Sequence, residues 1–262
     1  MDTVRIEWHG KVAHVLLSRP ERMNAINAAL LADLVAAGDE LAQRRDCRAV
    51  VLSGEGRGFC AGIDLEGLKA ASGGDAAGID LTTIVADGAN VAQHAVMLWR
   101  SLPVPVIAAM HGVALGGGFQ IALGADIRIV HPDTKLAVLE AKWGLVPDMA
   151  GMTIMAGLVR EDVIAELTFS ARMFDGREAL ALGLATRLAD DPLAEALSLA
   201  QAIAGRSPDA IRAAKRLLRH PGPASAKLIA EAAEQIALFG KPNQREAVAA
   251  GLEKREPNFK DS

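Results

Sequence analysis

A layered α/β domain that gives way to a helical C-terminal region is the architecture this sequence predicts, and three observations predict it. Short apolar runs with β-branched residues alternate with longer stretches of helical spacing, the order expected of strands and helices packed in layers. Glycine-containing loops follow the buried runs, where an α/β domain carries its chemistry. In the last sixty or so residues the strand signal fades and helical spacing dominates. The expected division is therefore 1–199 for the core and 200–262 for the helical region.

"RIEWHGKVAHVLLS" reads as two strands joined at His9, Gly10 and Lys11, a hairpin with β-rich ends. "NAINAALLADLVAAGDELAQR" has apolar positions at helical intervals, and Val50, Val51 and Leu52 begin a buried strand that stops at the glycines of "SGEGRGFCAG". "VAQHAVMLWRSL" is a second helix, ended by Pro103 and Pro105, and "VPVIAAMHG" a second buried strand. The triple glycine of "ALGGGFQIALGAD" then opens a helix, and "IRIVHP" and "KLAVLE" follow as short strands, the latter ending at Glu140. Residues 69–90, rich in Ala, Gly and Asp, read as a loop or lid over the site. From "EDVIAELTFSARMF" onward the signal is mostly helical, with Ser207 as N-cap, Pro208 at the first helical position and Asp209 in the first turn.

Composition narrows the function. There is no Tyr, and aromatic residues make up 3% of the chain, which leaves few stacking platforms for nucleic-acid bases. The net charge is −4, but residues 200–262 carry 11 Lys and Arg against 7 Asp and Glu, so the basic end is open to phosphates or is simply a solvated helix face. Cys47 and Cys60 show no metal or disulfide spacing, which fits a reducing, cytoplasmic setting with no metal cofactor. The N-terminus lacks a signal-like apolar stretch and no run of apolar residues suits a membrane span, so neither export nor membrane insertion is expected.

Two loops, "GRGFCAGIDL" and "ALGGGFQIA", each follow a buried strand, and each could aim one backbone N–H at an oxygen that becomes negative during reaction. Glycines that merely let helices pack closely are the competing explanation. Glu140 and Asp148 stand eight residues apart in "EAKWGLVPDMAG", with Gly144 and Pro147 allowing a turn between them. Two carboxyls reached through a turn can take and give protons if an apolar pocket raises at least one pKa; otherwise they are surface charges. Gln120, just inside the glycine-initiated helix, can orient a polar group but cannot relay a proton. His111, before a glycine at a strand end, reads as structural. GxSxG, HExxH and P-loop signatures are absent.

These residues resemble the crotonase family of enoyl-CoA hydratases and isomerases: "RPERMNAIN", "GEGRGFCAGIDL", "PVIAAMHGVALGGGFQIALGADIRI", "EAKWGLVPDMAG" and "EKREPNFK" fall in its order and spacing. The resemblance implies a spiral of ββα units with a C-terminal helical trimerisation region, giving a homotrimer or a hexamer. It implies an acyl-CoA substrate, no separate cofactor, and a thioester oxygen held by the N–H groups of Ala61 and Gly117, with the helix that starts there adding to the field. It places CoA against Met23, Ala25, Ala61 and Ile63, has Asp64 fix the first loop, and sends Lys254 to a CoA phosphate, with Gly251 where the family usually has an aromatic residue. Family hydratases carry a glutamate at the position of Gln120, whereas dienoyl-CoA isomerases carry a second acid at the position of Asp148. The expectation is double-bond isomerisation with Glu140 as base, Asp148 as partner acid and Gln120 as polar positioner. Hydration of a trans-2-enoyl-CoA is the alternative, and a non-catalytic acyl-CoA-binding or RNA-binding relative is an alternative of another class.

Overall fold

The first residues pair as the sequence leads one to expect. In the computed structural model of the chain, which describes residues 1–69, 75–76 and 78–262, β1 (Val4–His9) and β2 (Val12–Leu17) form an antiparallel hairpin closed at Gly10 and Lys11. A tight turn at Pro20–Arg22 leads to α1 (Ala28–Gln43), whose Asn27 side chain accepts the N–H of Leu30. Leu30, Leu31, Leu34, Ala37 and Leu41 recur at three- and four-residue intervals and turn one face of α1 inward. Each buried leucine contributes about 1.5–3 kcal/mol.

After β3 (Ala49–Gly54) come α2 (Leu65–Lys69) and four very short strands in two hairpins: β4 (Asp75–Ala76) with β5 (Ile79–Asp80), and β6 (Ile84–Ala86) with β7 (Ala89–Asn90). The expected loop over 69–90 is thus partly ordered hairpin, with residues 70–74 and 77 outside the described residues. α3 (Val91–Ser101) starts on a reciprocal cap, Asn90 accepting from Gln93 N–H and the Gln93 side chain accepting from Asn90 N–H.

β8 (Val106–Met110), β9 (Val113–Leu115), α4 (Gly117–Leu123), β10 (Ile127–Val130) and β11 (Lys135–Ala137) follow in the expected sequence. The main sheet has the order β1-β2-β3-β8-β10-β12, parallel from β2 onward, with β12 at Arg187–Leu188; a separate pair joins β9 to β11. β3 and β8 are buried along their whole length, which explains the apolar runs of residues 49–52 and 106–110: both faces of a parallel sheet are covered. One correction concerns Glu140. β11 ends at Ala137, and Glu140 instead opens a single tight helical turn, Glu140–Trp143, because Val138 and Leu139 continue inward without pairing to a strand.

The remaining elements are α5 (Gly151–Met155), α6 (Glu161–Ser170), α7 (Gly176–Leu182), α8 (Pro192–Ala204), α9 (Pro208–Arg219), α10 (Ala224–Leu238) and α11 (Pro242–Glu253). Ser207 caps α9 as its spacing suggests. α8 runs across residue 200 and lays Ala196, Ala200 and Ala204 on the sheet beside Val12, Val51, Ile107 and Ile129, so the purely helical region begins at Ser207. Lys215 of α9 reaches back into the core, donating to the Asp126 carboxylate at 2.8 Å and to the carbonyls of Val104 and Trp99. Arg219 holds the other Asp126 oxygen.

Candidate active site

The site grows from two loops that the parallel strands deliver to one place. After β3 the chain turns through Gly62, which sits at φ +88°, and after β9 it turns through Gly116 at φ +50°. Both values lie in the left-handed region that L side chains avoid. At Gly62 a Cβ would come 2.6 Å from the Leu115 carbonyl, and at Gly118 one would meet the Cys60 carbonyl at 2.5 Å, so glycine is what brings the two loops together. The packing and oxyanion explanations of these glycines are therefore not exclusive: Gly118 supplies the close approach, and Gly117 begins α4 with its N–H at the pocket.

The two expected backbone donors differ. Gly117 N–H has no acceptor among the described residues. Ala61 N–H, by contrast, donates to the Met23 carbonyl at 2.9 Å, which corrects its expected role. The neighbouring bonds Ile26 N–H to Gly62 O and Asp64 N–H to Ile26 O leave Ile63 with its own N–H turned away from Ile26, on the other side of the loop. Ile63, not Ala61, thus offers the loop a donor with no acceptor among the described residues.

The N-terminal loop braces the arrangement through a residue the sequence reading passed over. Asn24, fully buried and at φ +56°, donates to the carbonyls of Glu55, Gly58 and Phe59 and accepts from Arg19 N–H. Met23 and Ala25 flank it, and Arg19 bonds to the Ala25 carbonyl and reaches Asp64 at 3.4 Å. The only sequence signal was an Asn in "RMNAIN", since Asn tolerates the left-handed region better than most residues. Lys254, exposed at the end of α11, does not line the pocket within one chain, and Gly251 has open space around it. His111 bonds to the Gly56 carbonyl at 2.9 Å, a structural contact.

Between the loops lies a cavity of about 270 Å³, walled mainly by apolar side chains such as Ile26, Leu31, Ile79, Leu81, Met149 and Met173. Its polar features are few, as is usual for a small-molecule site: Glu140, Asp148, Lys142 at the exposed turn, and the glycine-loop backbone. Burial pushes the Glu140 carboxyl above the ordinary carboxylate range, opposed by a hydrogen bond from Gln120 and assisted by the charge of Asp148. Asp148 is likewise raised by burial. Glu140 Oε2 is buried with no hydrogen-bond partner among the described residues.

Gln120 is not part of the cavity wall. It lies behind Glu140, 1% exposed, with both ends of its amide engaged: Nε2 donates to Glu140 Oε1 at 2.6 Å, and Oε1 accepts from Met149 and Gly151 N–H at 3.0 and 2.9 Å. It therefore positions the carboxylate and the 149–151 turn, with Oε1 accepting twice and one of the two Nε2 hydrogens committed to Glu140.

The enoyl-CoA hydratase/isomerase family model matches residues 7–262. The mitochondrial Δ(3,5)-Δ(2,4)-dienoyl-CoA isomerase of Mus musculus is 37% identical over 212 residues, covering 78% of this chain but 64% of that protein, so the chain spans somewhat less than two thirds of that relative. A protein of Rhodobacter capsulatus named "Probable enoyl-CoA hydratase" is 34% identical over 261 residues, 98% of this chain and 97% of that one. Among solved structures, DspI of Pseudomonas aeruginosa superposes with a TM-score of 0.88 at 30% identity, covering 99% of this chain and 97% of that chain. An enoyl-CoA hydratase from Polaromonas sp. JS666 gives 0.88 at 28% identity, covering 98% and 99%.

Proposed function

The chain belongs to the enoyl-CoA hydratase/isomerase family, the crotonases, and we propose that within it this protein moves a double bond of an unsaturated acyl-CoA. The observation that carries this reading is the placement of a buried carboxyl, Glu140, and a half-buried one, Asp148, on one apolar cavity, with an amide rather than a third acid behind Glu140.

In the proposed reaction the thioester oxygen takes the N–H groups of Gly117 and Ile63. Glu140, ionised and held by Gln120, removes a proton from the carbon next to the carbonyl through its free Oε2. The electron pair of that C–H bond passes into an extended enolate whose charge rests on the thioester oxygen, where the two backbone donors stabilise it. Asp148, whose neutral form burial favours, supplies a proton at the far end of the conjugated system, and the double bond ends conjugated with the carbonyl. Proton exchange from Glu140 to Asp148 restores both groups. No water is consumed, which suits a Gln120 that cannot relay a proton.

The loop around Met23, Ala25, Ile63 and Asp64 is the proposed CoA-binding edge. Lys254 fits a phosphate contact only from a neighbouring copy, and the reading includes a homotrimer or hexamer. α10 has no buried residue, and Leu228, Ile229, Ile236 and Phe239 are all exposed on or just after it. Both cysteines are free and buried, in keeping with the reducing cytoplasm we propose. Among the described residues no helix is long and apolar enough to cross a membrane.

Water addition to a trans-2-enoyl-CoA is the second reading, favoured by the hydratase name of the Rhodobacter capsulatus relative that aligns over nearly its whole length. Incubation with 3-enoyl-, 3,5-dienoyl- and trans-2-enoyl-CoA in deuterated water separates the two. Isomerisation gives bond migration and deuterium uptake with no gain of water mass; rapid 3-hydroxyacyl-CoA formation overturns it.

A further inference from the structure

β2 is buried at every position and apolar at every position but one, and the exception is His14. Glu7 lies directly across the hairpin from His14, and His9 follows two residues after Glu7, so all three side chains share one face. That face also carries Val12 and Val51, which pack with α8, and it is opposite the face whose Val15, Leu17 and Leu52 join the core beside the acyl-CoA cavity.

The three groups converge. His14 Nε2 lies 2.7 Å from Ser53 Oγ, which fixes the ring, while Nδ1 faces Glu7 Oε2 at 3.6 Å, too long for a hydrogen bond. The His9 ring stands 6.0 Å from the His14 ring, and one ligand atom from each residue lies within 4.8 Å of the other two. Nitrogen and oxygen ligands about 2.0–2.2 Å from a tetrahedral metal stand roughly 3.3–3.6 Å from one another. Glu7 to His14 already has that spacing, and exposed Glu7 and His9 need only side-chain rotation to complete it. Ser53 can accept the Nε2 proton and leave Nδ1 as donor to a metal, the second-shell arrangement that ligating histidines use. The nearby Arg5 is paired with Glu55 at 3.2 Å.

We propose that Glu7, His9 and His14 form a site for one divalent transition-metal ion, with zinc as its probe, on the sheet face away from the acyl-CoA cavity. Two imidazoles and a carboxylate suit zinc, with water in the fourth position. The ion would tie the edge strand β1 to β2. The site is independent of the reaction proposed above.

The test is calorimetric titration of chelator-treated full-length protein with zinc, alongside Glu7→Gln and His9→Ala, both changes at exposed positions. The expected result is one equivalent bound per chain, a higher thermal midpoint in zinc, and affinity weakened more than about tenfold in each variant. Cobalt in place of zinc should give the visible absorption of a four-coordinate ion. Absence of saturable binding, or binding that both variants retain unchanged, overturns the proposal. Acyl-CoA turnover in Glu7→Gln should match that of the unaltered protein.

Discussion

Gln120 Nε2 donates to Glu140 Oε1 at 2.6 Å, and this contact sets the carboxylate that faces the acyl-CoA cavity. With Gln120 Oε1 fastened to the N–H groups of Met149 and Gly151, the amide can neither flip nor swing away without breaking two backbone bonds. Glu140 is left with one fixed oxygen and one free one.

Replacing Glu140 with Gln should lower turnover by about 10²–10⁴-fold, the usual contribution of a general base. Binding of a non-reactive acyl-CoA, measured by calorimetry, should change little, because the CoA edge and backbone donors are untouched. Turnover near the original rate would remove the proposed chemistry.

The acid limb of the pH–rate profile should lie above the ordinary glutamate value, since burial raises Glu140 and the base acts only when ionised. The charge of Asp148 raises it further, so Asp148→Asn should move the limb of the residual activity to lower pH. Stability follows the same sign. A carboxyl whose folded pKa is raised stabilises the fold most when protonated, and that contribution is lost as pH rises through the folded pKa. Asp148→Asn should therefore gain stability relative to the unaltered protein as pH increases toward neutrality, as read by denaturant midpoints on either side of the limb.

Gln120→Glu keeps two acceptors for Met149 and Gly151 but places a second carboxyl against Glu140. Two carboxyls at that distance share a proton, so the acid limb should move upward. A profile that stays in place would show that this contact does not tune the base.

Asn24→Ala removes donors to three carbonyls and an acceptor for Arg19 N–H in a fully buried loop. A loss of about 3 kcal/mol in denaturant unfolding is expected, with weaker acyl-CoA binding because the loop also carries Met23 and Ala25. Unchanged stability would mean that the loop is held by its backbone alone.

The hairpin, the buried strands and the capped helices were legible because each is encoded by local pattern. The Glu140 turn was not, since Val138 and Leu139 prolong an apolar run past the point where β11 loses its pairing partner. The choice between Ala61 and Ile63 was equally hidden. Both lie in one glycine loop, and which N–H is left free depends on how Gly62, at φ +88°, and the contacts with Met23 and Ile26 orient the chain. Asn24 donates to residues 55–59, some thirty positions away, and its sequence neighbours say nothing of them. Gln120 was recognised as unable to relay a proton, but its place behind the base is a tertiary fact.

Asp126, held by Lys215 and Arg219, also bears on how the chain matures. Both partners lie about ninety residues downstream, so during synthesis β8, α4 and β10 emerge well before the cations that neutralise this half-buried carboxylate. A nascent chain stopped short of α9 holds an uncompensated charge at the β8–β10 seam, where Asp126 also accepts the Val106 N–H. Arrival of α9, rather than completion of the neighbouring strands β8 and β10, is then the step that neutralises Asp126.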